Sequence, residues 1–536
     1  MQGSKRRQVT RMKKGKKAPG KHVRQHRTKV KRQSLHSIQK KKFYKIMILA
    51  ICVLVILVAD AYRRGEVRLY EEKPAATKKE QSVIQTAEKQ ESDLPVEMPD
   101  QNIDEQQIRI LISTTDFSGS YHDYVTVKGT KEITVSEGKE NHAYPAGEQV
   151  TFQKKKKNSG KLRVEVAEGG KIQICSITRQ NRHPSYRGSM EIKQTKQGFT
   201  VINELPLQEY LYAVVPSELS TGHKMEALKA QAVCARTYAY HQLQSDRFEE
   251  YGADMDDSTS SQVYNNIPED KRSRKAVKAT SGEIVTRDGN PVVTYYYSTS
   301  WGRSASGKEV WNTPSEVPHL QSCMQTEGQE NGFDQDLSTD EAFRNFLSQD
   351  TAVTYDCDAD WYRWNVTLPS AVLEQRIDAV LQSCYQRDSS MVLTQDPAGK
   401  YKKQTLRSIG KLRKIRVESR GKSGLVTALV VVGSGNVVKV CGQYNIRQVL
   451  SPGSAKIHYG AGETTMALLP SAAFYLDRGT DSDGNITYVI HGGGCGHGTG
   501  MSQCGASQMA KQGKGYRDIL QYYFSGCEVA SKSIIR

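Results

Sequence analysis

Leu211-Tyr-Ala-Val-Val-Pro-Ser-Glu-Leu219 is followed within a few residues by Glu226-Ala-Leu-Lys-Ala-Gln-Ala-Val-Cys-Ala-Arg-Thr-Tyr-Ala239. The first stretch reads as an apolar strand ending at one acidic residue, Glu218. The second reads as a helix of small residues, over roughly Met225 to Leu243, with Leu228, Ala232, Ala235 and Ala239 on one apolar face. Glu226 in its first turn suits the helix dipole. Apolar neighbours Val214, Val215 and Leu219 would penalise a charged carboxylate at Glu218 and raise its pKa. That is the requirement for a general acid. An ordinary loop carboxylate is the alternative that residue type alone leaves open.

Outward from this stretch the pattern is of short β segments. They begin at Ile108-Arg-Ile-Leu-Ile112 and continue through Tyr124–Val127, Glu132–Val135, Gln149–Phe152 and Leu162–Val166. Gly188–Ile192 and Gly198–Asn203 read as a hairpin leading into the Glu218 block. Two further helices are expected near Asp340–Leu347 and Ala371–Cys384. The fold class expected is α+β, an antiparallel-sheet-rich domain with a central Ala-rich helix.

Two more blocks accompany the first. One runs Ala279-Thr-Ser-Gly-Glu-Ile-Val through Tyr295-Tyr-Tyr-Ser-Thr-Ser-Trp-Gly-Arg303 to Pro318-His-Leu320. The other is Gly494-Cys-Gly-His-Gly-Thr-Gly-Met-Ser-Gln-Cys-Gly-Ala506, closed by Gly515–Tyr523. Three blocks in this order resemble the SpoIID/LytB family from about Ile108 to the C-terminus. Residues 327–410 fit that pattern poorly and are expected to be an inserted lobe or elaborated loop.

The resemblance implies lytic transglycosylase cleavage of peptidoglycan between N-acetylmuramic acid and N-acetylglucosamine, with Glu218 as the catalytic glutamate. Ordinary glycosidases need two carboxylates. A lytic transglycosylase can use one, because the sugar's own 6-hydroxyl attacks the anomeric carbon. Substrate-binding candidates are Gln231, Arg236 and Tyr238 on the helix, Ser298, Thr299 and Ser300 in the second block, and His497, Ser502 and Gln503 in the third. Each has a structural role as its alternative. Tyr295–Tyr297 reads as core or as a sugar-stacking platform, and Trp301 as pocket filler or stacking residue. The Gly492–Gly500 loop lacks the ending of a phosphate-binding loop and reads as backbone packed close to the site. The family's partners would be stage II sporulation proteins P and M, during engulfment. A non-catalytic amidase enhancer and a vegetative wall enzyme are the competing readings.

No cofactor and no metal are expected. Some family members carry a Cys and a His-Cys pair before a Gln-x-Tyr segment. Here that stretch is Asp254-Met-Asp-Asp-Ser-Thr-Ser-Ser-Gln-Val-Tyr264. Asp254, Asp256 and Asp257 are hard oxygen ligands, poor for structural zinc. They read as a solvated acidic loop. Cys495 and Cys504 stand where the family has other residues and are expected to pair as a disulfide.

Charge argues against nucleic acid. Residues 1–45 hold 18 of the 76 Lys and Arg and no acidic residue; the other 58 balance the 58 Asp and Glu. This basic tail abuts Ile46-Met-Ile-Leu-Ala-Ile-Cys-Val-Leu-Val-Ile-Leu-Val-Ala59. With its apolar flanks to Tyr62 the run approaches the ~17–20 residues needed to cross a bilayer. A single transmembrane helix over 46–62 is expected, with residues 1–45 in the cytoplasm and the rest extracytoplasmic. Residues 63–107, rich in Glu, Lys, Gln, Thr and Pro, read as a disordered linker spanning about 35 Å. The catalytic domain is expected over 108–536.

Overall fold

The computed structural model describes residues 103–155, 160–266, 268–327, 335–349, 354–406, 408–460 and 462–531. The expected tail and membrane span lie outside these residues, as does the linker up to residue 102. Among the described residues no helix is long and apolar enough to cross a membrane. Order begins before the expected boundary at 107. Ile103–Glu105 forms a helical turn with Ile103 and Asp104 buried, and a strand runs from Gln107 to Leu111.

The expected β segments form two sheets. The larger has seven strands, in the order Met255–Asp256, Gln107–Leu111, Phe199–Pro206, Ser189–Gln194, Lys161–Val166, Ile133–Glu137, Glu140–Tyr144. All pairs are antiparallel except the first. The predicted hairpin is there, with Phe199 opposite Gln194. A second sheet joins Val150–Gln153, Tyr124–Gly129, Ile172–Ile174 and Ser185–Tyr186.

The stretch before Glu218 corrects the reading of an apolar strand. It is a helix, α1 (Leu207–Glu218), with Leu207 and the whole run Tyr210–Pro216 buried. A short apolar run has no period that separates a buried strand from a buried helix. Pro216 lies in the last turn and has no N–H to give the Tyr212 carbonyl one turn earlier. The Ala-rich helix, α2 (Met225–Gln242), falls where expected, but burial is not confined to one face. Around it pack α1, α3 (Lys271–Ala279), the strand Ile284–Arg287 and two C-terminal helices. Small side chains let these neighbours approach α2 from several sides at interior density.

A second core forms farther along the chain. Helices α4 (Gly307–Trp311) and α5 (Asp340–Ser348) lead into it. Two five-stranded sheets make its body, with α6 (Ser370–Arg387) and α7 (Gln443–Val449) against them. The expected boundary 327–410 is therefore too short. Trp364–Pro369 pairs along its length with Ile486–Gly492, so this lobe closes only at residue 492. The chain then returns to the first core. Met501–Ser502 pairs with Tyr296–Tyr297, α8 (Gln503–Lys511) and α9 (Tyr516–Tyr523) pack on α2, and Glu528–Ala530 pairs with Ile284–Thr286.

Candidate active site

Glu218 ends α1, and Leu219 leaves the helix in extended conformation. The carboxyl is turned toward the loop after Asp257 and toward the strand Tyr296–Tyr297. Its Oε1 accepts the Val263 N–H at 2.6 Å and the Tyr296 hydroxyl at 3.0 Å. Among the described residues no donor reaches Oε2. Burial pushes the Glu218 pKa up to about 7, although both donors to Oε1 pull it down.

Behind Tyr296 lies a directional chain of hydrogen bonds. The Tyr210 hydroxyl donates to Gln262 Oε1 at 3.2 Å, and Gln262 Nε2 donates to the Tyr296 hydroxyl at 3.0 Å. Tyr296 is left to donate to Glu218. Oε1 therefore already has two hydrogen bonds, and a proton on the carboxyl belongs on the free Oε2.

One expected residue, Gln503, contacts the Glu218 backbone, and a second, Gln231, is linked to it through Gln503. Gln503 Nε2 donates to the Glu218 backbone oxygen at 3.1 Å and lies 3.4 Å from Gln231 Oε1. Gln231 is fully buried, and its Nε2 has no hydrogen-bond partner among the described residues. Tyr238 packs against Tyr295, with ring centres 6.0 Å apart. His497 is enclosed by Tyr295, Tyr297 and Trp311. Its Nδ1 accepts the Thr499 N–H, and burial with nearby Arg447 pushes its pKa down to about 4. It is a neutral imidazole bordering the Tyr296 strand.

The remaining expected contacts are structural. Ser300 donates its N–H and hydroxyl to buried Asp356, each at 2.9 Å, and Ser502 donates its hydroxyl to the same carboxyl at 2.5 Å. Ser298 accepts the Cys504 N–H through its carbonyl. Arg236 turns away from the site altogether. It lies about 140° around α2 from Gln231 and pairs with buried Asp104 at 2.7 Å. Its other N–H groups reach Val277 O, Thr280 Oγ1 and Glu283 O. Trp301 is a pocket filler: it is fully buried and donates to Ser423 O.

The expected disulfide is absent. Cys495 and Cys504 are both free thiols. Thr299 stands between them, exchanging backbone hydrogen bonds with Cys495 while its Oγ1 lies 3.4 Å from Cys504 Sγ. The glycines of this loop do pack backbone close to the site. Gly500 has φ of +77°, and a Cβ there would lie 2.1 Å from the Tyr295 carbonyl oxygen.

The acidic loop is not simply solvated. Asp257 is fully buried and pairs with Arg179 at 2.7 Å. Asp254 accepts the Arg109 N–H, and Asp256 accepts the hydroxyls of Ser258 and Ser260. The three carboxylates serve three different sets of donors.

Sequence reading passed over the partners of Oε1. The Val263 N–H is a backbone group that no residue type signals. Gln262 and Tyr264 were visible as a Gln-x-Tyr segment without a role. Tyr264 proves to be core, donating to Asn203 Oδ1.

Comparison with known proteins finds a SpoIID-type segment around Glu218. Residues 195–286 match the family described as stage II sporulation protein (SpoIID). Residues 386–500, mostly in the second lobe, match a domain of unknown function (DUF8618). The chain resembles the SpoIID family and, within it, stage II sporulation protein D. It is 26% identical to that protein of Bacillus subtilis (strain 168) over 384 residues, 68% of this chain and 88% of the relative. An uncharacterized protein of Brachyspira hyodysenteriae is 28% identical over 347 residues, covering 64% and 72%. The amidase enhancer of Bacillus subtilis is 26% identical over 321 residues, 60% of this chain but only 40% of that longer protein.

Proposed function

We propose that this chain acts on cell-wall peptidoglycan as a lytic transglycosylase in sporulation, with Glu218 as its single acid–base group. The observation that supports this most is the asymmetry of the Glu218 carboxyl. One oxygen is held by Val263 and Tyr296, the other has no donor among the described residues, and the pKa is raised to about 7. Oε2 gives its proton to the glycosidic oxygen as the bond to the muramoyl anomeric carbon breaks. The muramoyl 6-hydroxyl attacks that carbon, and its proton passes to the carboxylate. The product is a 1,6-anhydro sugar, and no water is consumed. Incubating the protein with peptide-free glycan and weighing the products by mass spectrometry tests the reading; it requires saccharides that end in 1,6-anhydro-N-acetylmuramic acid.

A relative named an amidase enhancer favours a second reading, a wall-binding module without cleavage. That reading needs no raised carboxyl pKa, and it requires stimulation of an amidase with no anhydro product.

The pH dependence follows from the Glu218 shift. Cleavage needs the protonated acid, so activity should persist below about pH 7 and fall as pH rises through about 7. The stability term has the same sign. The folded carboxyl keeps its proton up to about pH 7, while the unfolded one releases it near 4.5, so Glu218 costs stability as pH rises between them. Tyr296→Phe removes a donor that lowers this pKa, so the falling limb of the pH–rate profile should move upward. A limb that stays in place or moves down would remove Tyr296 from the site.

The proposal includes the membrane topology, with 46–62 as one crossing, 1–45 in the cytoplasm and the catalytic part outside. Stage II sporulation proteins P and M would be its partners at the membrane. Reporter fusions at residues 40 and 536 should report opposite compartments. The same compartment for both defeats the single crossing.

A further inference from the structure

Helix α3 reads Lys271-Arg-Ser-Arg-Lys-Ala-Val-Lys-Ala279, with Ser273, Ala276 and Val277 buried. Lys271, Arg274, Lys275 and Lys278 are spaced by three and four residues, so they share the opposite side of the helix. They line a shallow depression of about 520 Å³. The three lysines are exposed, and among the described residues none of them has a carboxylate partner. The nearby carboxylates are engaged elsewhere. Asp270 caps the helix by accepting the Arg272 and Ser273 N–H groups. Glu269 is held by Lys171 and Arg187, with Arg274 at 3.7 Å. Like charges at these spacings destabilise a helix, and an anion laid along the stripe relieves that repulsion.

The chain enters the folded part at one end of this stripe. Asp104 accepts the Ser281 hydroxyl at 2.6 Å and the Gly282 N–H at 2.8 Å. Both residues follow α3 directly, just past Lys278. The sequence immediately upstream is Glu91-Ser-Asp-Leu-Pro-Val-Glu-Met-Pro-Asp100, which has four carboxylates and no Lys or Arg. Pro95 and Pro99 favour extended backbone in the residues before them. Residues 91–102 reach up to ~40 Å when extended. The nine-residue helix is only about 13 Å long, so the carboxylates can be laid along the whole stripe. The lysine stems offer apolar cover to Leu94, Val96 and Met98.

We propose that the acidic segment 91–100 docks along α3, its carboxylates paired with Lys271, Lys275 and Lys278. Each exposed pair contributes little alone. The segment is joined to the domain a few residues away, so its local concentration is on the order of millimolar, and several weak pairs acting together hold it. Docking fixes the direction in which the upstream chain leaves the domain and leaves fewer residues to span any distance beyond it. It depends neither on the glycan reading of Glu218 nor on the membrane crossing.

The test treats the full chain, in a neutral detergent at low salt, with a carbodiimide, which joins an amine to a carboxylate in direct contact. Mass spectrometry then maps the links. Lys229, 2.7 Å from Glu226, is the internal control. Links from Lys271, Lys275 or Lys278 to Glu91, Asp93, Glu97 or Asp100 are expected, falling roughly fivefold in about 0.5 M sodium chloride. A mixture of isotope-labelled and unlabelled chains should give these links within one chain; links only between chains overturn the proposal in favour of a second copy. Changing the four acids to their amides (E91Q, D93N, E97Q and D100N) should raise acetylation of the three lysines roughly threefold. Unchanged acetylation, or a working control with no link from these lysines to residues 91–100, overturns the docking. So does protection of the lysines that arises only when phosphatidylglycerol vesicles are added, which would make a lipid surface the occupant.

Discussion

Glu218→Gln should fold as the parent does and lose about 10²–10⁴-fold in glycan cleavage, the contribution of a general acid. The amide fits the pocket. Its oxygen can accept the same two hydrogen bonds, from the Val263 N–H and the Tyr296 hydroxyl. Its nitrogen then occupies the Oε2 position, where it can donate a hydrogen bond to the glycosidic oxygen but cannot give up a proton to it. The geometry thus changes little while the chemistry stops. Mass spectrometry of peptide-free glycan after incubation should show anhydro products from the parent and almost none from the variant. Activity within about tenfold of the parent would remove Glu218 from its role. In the amidase-enhancing reading the same substitution leaves stimulation unchanged, so the two readings part on one variant.

The second large effect is on stability. Arg236→Met should destabilise the fold by about 3–5 kcal/mol, the cost of breaking a buried ion pair by removing one partner. Both side chains are almost completely buried, at 0% and 3% exposure. Asp104 keeps the Ser281 hydroxyl and the Gly282 N–H but loses its cation. The methionine also abandons Val277 O and Glu283 O. Urea unfolding of the two proteins measures the difference. A change under about 1 kcal/mol would mean that the pair is replaceable. Resemblance had placed Arg236 among the substrate contacts, which would predict weakened glycan binding in a protein of unaltered stability.

How far the sequence could be read follows from the kind of signal each feature leaves. Alternating burial and turn residues marked the strands Gln107–Leu111, Tyr124–Gly129 and Lys161–Val166 to within two residues. The Ala-rich composition of α2 marked a helix but not its enclosure, because an alanine fits a crowded face and an open one alike. α1 was lost to a continuous apolar run, which has no period. The extent of the second lobe was hidden because Trp364–Pro369 finds its partner Ile486–Gly492 across more than a hundred residues. At the site, Glu218, Gln231 and Gln503 were visible as polar residues set among small or apolar ones. Arg236, Ser300 and Ser502 look the same in the sequence. Only their buried partners, Asp104 and Asp356, show that they brace the fold.

The contact between Gln503 and Glu218 closes a loop of 285 residues. Met501–Ser502 and the last strand, Glu528–Ala530, complete the first core at comparable separations. Such non-local pairings form late, after the intervening loop has been closed. On a ribosome, or emerging from a translocation channel, the chain would expose Glu218 long before the segment that seats it exists. A nascent or truncated polypeptide ending before residue 503 would have the glutamate and its Tyr296 donor but no Gln503 to hold the end of α1. On the proposed reading, competence to cleave glycan would then be tied to completion of synthesis, a timing device written into chain order.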